Sequence, residues 1–99
     1  MDFTPRLKSE QTDLLMKALL TLKTPEEAHR FCEDVMTIKE LESIAQRLEV
    51  AVMLSRKATY QEIAEQTGAS TATISRVNRC LHYGADGYTF VLARLDEEV

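Results

Sequence analysis

The stretch YQEIAEQTGASTATISRVNR, residues 60–79 of this 99-residue chain, gathers the side chains best suited to touching another molecule. Ser70, Thr71, Thr73 and Ser75 carry short hydroxyls and Ala72 a methyl, with Arg76 and Arg79 just beyond and Arg56 and Lys57 just before the stretch. Short hydroxyl and methyl groups can approach the floor of a DNA major groove, where threonine hydrogen-bonds base edges or touches a thymine methyl. Cationic side chains around them suit phosphates, which position a protein without reading sequence. Tyr60 and Gln61 lie at the front of the stretch, so the candidate DNA contacts are Lys57, Tyr60, Gln61, Ser70, Thr71, Ala72, Thr73, Ser75, Arg76 and Arg79. The rings of Tyr60 and Tyr83 could stack on bases, but helix packing or a backbone contact suits them better.

Other chemistries find less support. His29-x2-Cys32 and Cys80-x-His82 could be assembled into a four-ligand zinc set, but neither spacing is that of a usual finger and Cys32 falls on an apolar stripe. No metal is expected, and the two cysteines read as reduced thiols. Glu26, Glu27, Glu33 and Asp34 read as a solvated helix face rather than an acid–base pair. Ser70 and Ser75 have no histidine nearby in sequence to activate them, and there is no phosphate loop. No enzyme is expected.

The elements that must position these residues are announced by their caps. Thr24-Pro25-Glu26-Glu27, Thr37-Ile38-Lys39-Glu40 and Thr59-Tyr60-Gln61-Glu62 each place a capping threonine three residues before a glutamate. The hydroxyl can accept an orphan backbone N–H while the carboxylate reaches back to the cap's own N–H. Apolar periodicity predicts helices over about 5–22, 25–36, 38–56, 60–66, 71–82 and 87–96. In the third, Ile38, Leu41, Ile44, Ala45, Leu48 and Val52 form the main stripe, and Val50, Met53 and Leu54 lie off it. A helix apolar on more than one side is buried on more than one side. A small three-helix core leaves little to cover this one, so a dimer interface is the simpler account. Only three glycines and two prolines among 28% charged residues argue for a helical protein and against β-sandwiches or disorder.

Between the fourth and fifth helices, Ala64 precedes Gly68 by four residues and Ile74 follows it by six. A small residue permits a close helix crossing, glycine takes a left-handed turn, and Ile63, Ile74 and Val77 fill the wedge. Net charge is −4 over the chain, but residues 56–82, with four basic and two acidic side chains, form a positive block. Local charge decides within a Debye length of about 8–10 Å. No apolar run approaches the ~20 residues of a membrane span, and the N-terminus lacks the apolar stretch of a signal peptide. A cytoplasmic protein that does not engage membranes is expected.

From Ala58 to Leu81, ATYQEIAEQTGASTATISRVNRCL resembles the tryptophan-repressor superfamily, most of all in the ATISR core at 72–76. Arg47-Leu48-Glu49-Val50-Ala51 resembles the family's central helix, and the small YerC/YecD-like branch of regulators is the nearest in character. The resemblance implies an all-α protein of about six helices with a helix-turn-helix, forming an intertwined homodimer. It implies one domain, with dimerisation helices over 1–56, the helix-turn-helix over 57–82 and a C-terminal helix over 83–99. It also implies binding to double-stranded DNA as a transcriptional repressor. A protein-interaction module using the same helical dimer without reading DNA is the alternative. In the family, an amino-acid effector sits between the central helix and the reading helix, held by an arginine from each. Residue-by-residue matching gives Arg47 and Arg76, with Val77 and Cys80 where the family has a glycine and a serine. The methyl groups of Val77 favour a filled cavity over a tryptophan site. No cofactor is expected. A different small effector remains open, as does simple pairing of the two arginines with Glu49, Glu62 or DNA.

Overall fold

The computed structural model describes residues 3–97. Two compact units divide between Thr37 and Ile38.

The first unit holds α1 (Glu10–Leu19) and α2 (Pro25–Val35). Ser9 and Thr12 form a reciprocal capping box, Thr12 N–H on Ser9 Oγ at 3.0 Å and Ser9 N–H on Thr12 Oγ1 at 2.9 Å. That cap fixes the start of α1, later than the expected position near residue 5. At its other end, Thr21 and Leu22 donate to the carbonyls of Ala18 and Leu19, a tightened i→i+3 pattern that ends the helix short of 22. Thr24 caps α2, with Pro25 at its first position. The Glu27 carboxylate accepts from Lys23 N–H at 2.9 Å, one residue before the cap N–H the spacing predicts. Neither helix has a buried residue: on α1, Leu14 is 68% and Met16 52% exposed.

The second unit is α3 (Ile38–Ser55), α4 (Tyr60–Thr67), α5 (Thr71–Tyr83) and α6 (Gly87–Glu97). α3 packs against α4, α5 and α6, and α5 against α4 and α6. Thus α3, grouped by sequence with the dimerisation helices, packs with the helix-turn-helix. Val50, Ala51, Ile63, Ala69, Ile74 and Val77 are the buried core, ringed by Met53, Leu54, Ala58, Ala64, Leu81, Tyr88 and Leu92. Val50 lies outside the expected α3 stripe, whereas Ile44 and Leu48, on that stripe, remain 46% and 37% exposed. Within the chain the core therefore takes the face that sequence periodicity ranked second. Of the main stripe, Leu41 and Val52 are half-buried and Ile38, Ile44 and Leu48 stay exposed.

The α3–α4 connection is a Schellman turn. Ala58 N–H reaches the Met53 carbonyl and Lys57 N–H the Leu54 carbonyl, each at 3.1 Å, with Lys57 at φ +67°. Lysine thus occupies the left-handed position where glycine is usual. At the end of α5, Gly84 is required sterically: an added Cβ would lie 2.5 Å from the Cys80 carbonyl oxygen.

Candidate nucleic-acid interface

Thr59 and Glu62 start α4 with the full capping box. Glu62 N–H donates to Thr59 Oγ1 at 3.1 Å and Thr59 N–H to Glu62 Oε1 at 2.8 Å. The Thr59 backbone N–H, and then its hydroxyl, hold the Glu62 carboxyl below the usual carboxylate range. At the far end Gly68 is left-handed, φ +74°, and its N–H closes on the Ala64 carbonyl at 2.9 Å. Thr67 locks the turn, its hydroxyl donating to the Ile63 carbonyl at 2.7 Å and accepting Ala69 N–H at 3.1 Å. Gln46 of α3 donates to the Thr67 carbonyl at 3.1 Å, capping an orphan acceptor from outside.

Ser70 then caps α5 through Thr73 N–H at 3.1 Å and donates its hydroxyl to Thr73 Oγ1, also at 3.1 Å. These two hydroxyls, both candidate DNA contacts, are thus engaged in starting the reading helix. Ile63, Ile74 and Val77, the expected wedge, are 0%, 0% and 2% exposed. With that face buried, Ala72, Ser75, Arg76 and Arg79 recur at i, i+3, i+4 and i+7 and form one exposed face, with Thr71 exposed at its start. No acidic residue lies in the first turn of α5, so nothing there offsets the positive end of its dipole. Arg56 and Lys57 are exposed in the α3–α4 turn, and among the described residues Arg56, Lys57, Arg76 and Arg79 form no ion pair. Four cations are therefore free to meet an anion. Tyr60, 38% exposed, and Gln61, whose amide donates to Glu65 Oε1 at 3.4 Å, lie in the first turn of α4.

The family model for the Trp repressor protein matches residues 10–96. The chain belongs to the Trp repressor family. It is 52% identical over 92 residues to an uncharacterized protein of Bacillus subtilis, YerC, covering 93% of this chain and 88% of the relative. It is 41% identical over 61 residues to a Trp operon repressor homolog of Chlamydia caviae, covering 61% of this chain and 60% of that one. A crystal structure of a TrpR-like protein from Eubacterium eligens superposes with a TM-score of 0.87 at 56% identity, over 92% of this chain and 94% of that one. The assignment makes this an all-α protein of a regulatory, non-enzymatic family of DNA-binding proteins. Among the described residues no helix is long and apolar enough to cross a membrane.

For a Trp repressor family member the effector positions are instructive. Arg47 is exposed on α3 and donates to Ser43 Oγ at 3.3 Å. Arg76 is exposed on α5 and Cys80 is exposed one turn further on. Neither arginine pairs with Glu49 or Glu62; the latter's carboxylate is taken by its cap. Val77, by contrast, is buried in the core. Two contributors carried no sequence signal. Gln46 acts on a carbonyl 21 residues away, and Lys57 is of a type that does not announce left-handed backbone.

Proposed function

We propose that this chain is a sequence-specific transcriptional repressor that reads the DNA major groove with α5. The observation that carries the reading is the single exposed face of Ala72, Ser75, Arg76 and Arg79 on a helix whose other face is locked by Ile74 and Val77. Small groups near the helix start can approach base edges, while Arg79, with Lys57 from the α3–α4 turn, reaches for phosphates. Selection from random DNA tests it. Thr71→Ala or Ser75→Ala should relax preference at one or two base pairs, by about 1–3 kcal/mol per lost contact. Arg79→Ala or Lys57→Ala should weaken binding to every sequence and flatten its salt dependence. Equal effects from both kinds of substitution would refute direct readout. Absence of any enriched site would favour an interaction module instead.

The working form is a homodimer. Leu14, Leu15 and Leu19 on α1, and Ile44 and Leu48 on α3, are exposed apolar side chains that a second copy would cover. Two copies also supply two reading helices for one DNA site. The melting temperature should rise with protein concentration, because association stabilises by mass action. A stable monomer in micromolar sedimentation runs would refute this.

A further inference from the structure

The turn that starts the reading helix is held from α3 as well as from α4. α3 packs on both α4 and α5. Gln46, half-buried, precedes the fully buried Val50 by four residues, so it extends the core face of α3 by one turn. There its Nε2 donates to the Thr67 carbonyl at 3.1 Å. Thr67 ends α4, and its carbonyl is one of the four that a helix leaves unsatisfied at that end. The same residue donates its hydroxyl to the Ile63 carbonyl at 2.7 Å and accepts Ala69 N–H at 3.1 Å. Thr67 thus ties α3, α4 and the turn together. Ala69 is buried, and the next residue, Ser70, caps α5. Gln46 Nε2 also lies 4.0 Å from where a Cβ on Gly68 would stand, so the amide sits directly beside the turn.

We propose that Gln46 is a positioning residue for DNA reading: by holding the Thr67 carbonyl it fixes the start of α5 relative to α3, and so sets how sharply the protein discriminates one DNA site from another. This rests on the function proposed above. The apolar wedge and this hydrogen bond constrain different things. Apolar burial is non-directional and tolerates sliding, whereas a hydrogen bond fixes distance and angle. A carbonyl only accepts, so its partner must donate, as the amide of Gln46 does. Contacts to base edges need the reading helix placed to within about 0.5 Å. Phosphate contacts by long, flexible cationic side chains tolerate more. Loss of the Gln46 bond should therefore cost specific binding more than binding in general.

The test compares Gln46→Met, unbranched and of similar length but without a donor, with Gln46→Lys, which restores one. Met, Lys and Gln have similar helix propensities, so α3 itself is little affected. Affinities are measured for the DNA site that the intact protein selects and for a scrambled duplex. In Gln46→Met the affinity for the selected site should fall about tenfold, as expected when a half-buried carbonyl loses its partner. Affinity for the scrambled duplex should stay within about twofold, since phosphate contacts dominate it. Gln46→Lys should recover most of the ratio between the two, because its added charge acts on both duplexes alike. Hydrogen exchange supplies a readout independent of DNA. The Ala69 and Thr73 N–H groups should exchange faster in Gln46→Met while the Val77 N–H, on the buried side of α5, does not; a general loss of stability would accelerate all three. A ratio unchanged in Gln46→Met, a ratio that Gln46→Lys does not recover, or uniformly faster exchange would overturn the proposal. If the intact protein selects no site, the proposed function fails and this role with it, while the exchange pattern still decides whether Gln46 holds the turn.

Discussion

Gly68 and Lys57 share a left-handed backbone, at φ +74° and +67°, and should respond to substitution with opposite signs. At Gly68 an added Cβ would meet nothing nearer than Gln46 Nε2 at 4.0 Å, an ordinary contact. Steric collision therefore contributes nothing to Gly68→Ala, and the cost is conformational. An L-residue in this region is disfavoured by about 1–2 kcal/mol. Alanine recovers about 0.4–1 kcal/mol by restricting the unfolded chain. The net loss is about 1 kcal/mol, which at a urea m-value of about 1–3 kcal/mol/M lowers the midpoint by about 0.3–1 M. Lys57→Gly releases the same strain and returns the same entropy, so it should raise the midpoint by a similar amount, about 0.3–1 M. Urea unfolding followed by circular dichroism, at fixed protein concentration, measures both. An unchanged midpoint in Gly68→Ala, or a fall in Lys57→Gly, would refute the argument that backbone conformation sets these two sites. Because Lys57 is also a proposed phosphate contact, Lys57→Gly should gain stability while losing DNA affinity.

Two further outcomes follow from the second unit. Ile74→Ala, at a fully buried position, should cost about 2–5 kcal/mol in the same urea assay, whereas Ser75→Ala next to it, exposed, should stay within about 0.5 kcal/mol; similar losses would mean that α5 is not held by its wedge. Tyr88 should make the fold sensitive to alkali: burial raises its pKa, so its neutral form contributes stability that is whole below pH of about 10, the unperturbed tyrosine value, and is lost as pH rises through the higher folded value. Alkaline melting curves of Tyr88→Phe should show a smaller decline than those of the intact protein, and identical curves would count against the buried phenol.

The sequence by itself determined the helical class, the starts of α2, α4 and α5, and the helix-turn-helix. These rest on short-range chemistry: Thr24, Thr59 and Ser70 accept N–H groups three residues away, and Gly68 answers a local backbone demand. The wedge of Ile63, Ile74 and Val77 was legible because its members lie within 15 residues, on two short helices joined by the turn that Gly68 marks. Which face of α3 meets the core was not legible. Both faces are apolar, and only the packing of α4, α5 and α6 selects Val50 and Ala51 over Ile44 and Leu48. Tertiary structure also decided that Ser70 and Thr73 spend their hydroxyls on each other, that Gln46 caps a carbonyl of another helix, and that Lys57 bears a left-handed strain. The packing of Tyr88 against the core belongs to the same class. Each depends on the three-dimensional meeting of groups far apart in sequence, or on a local conformation imposed by that meeting, and periodicity along one helix records neither.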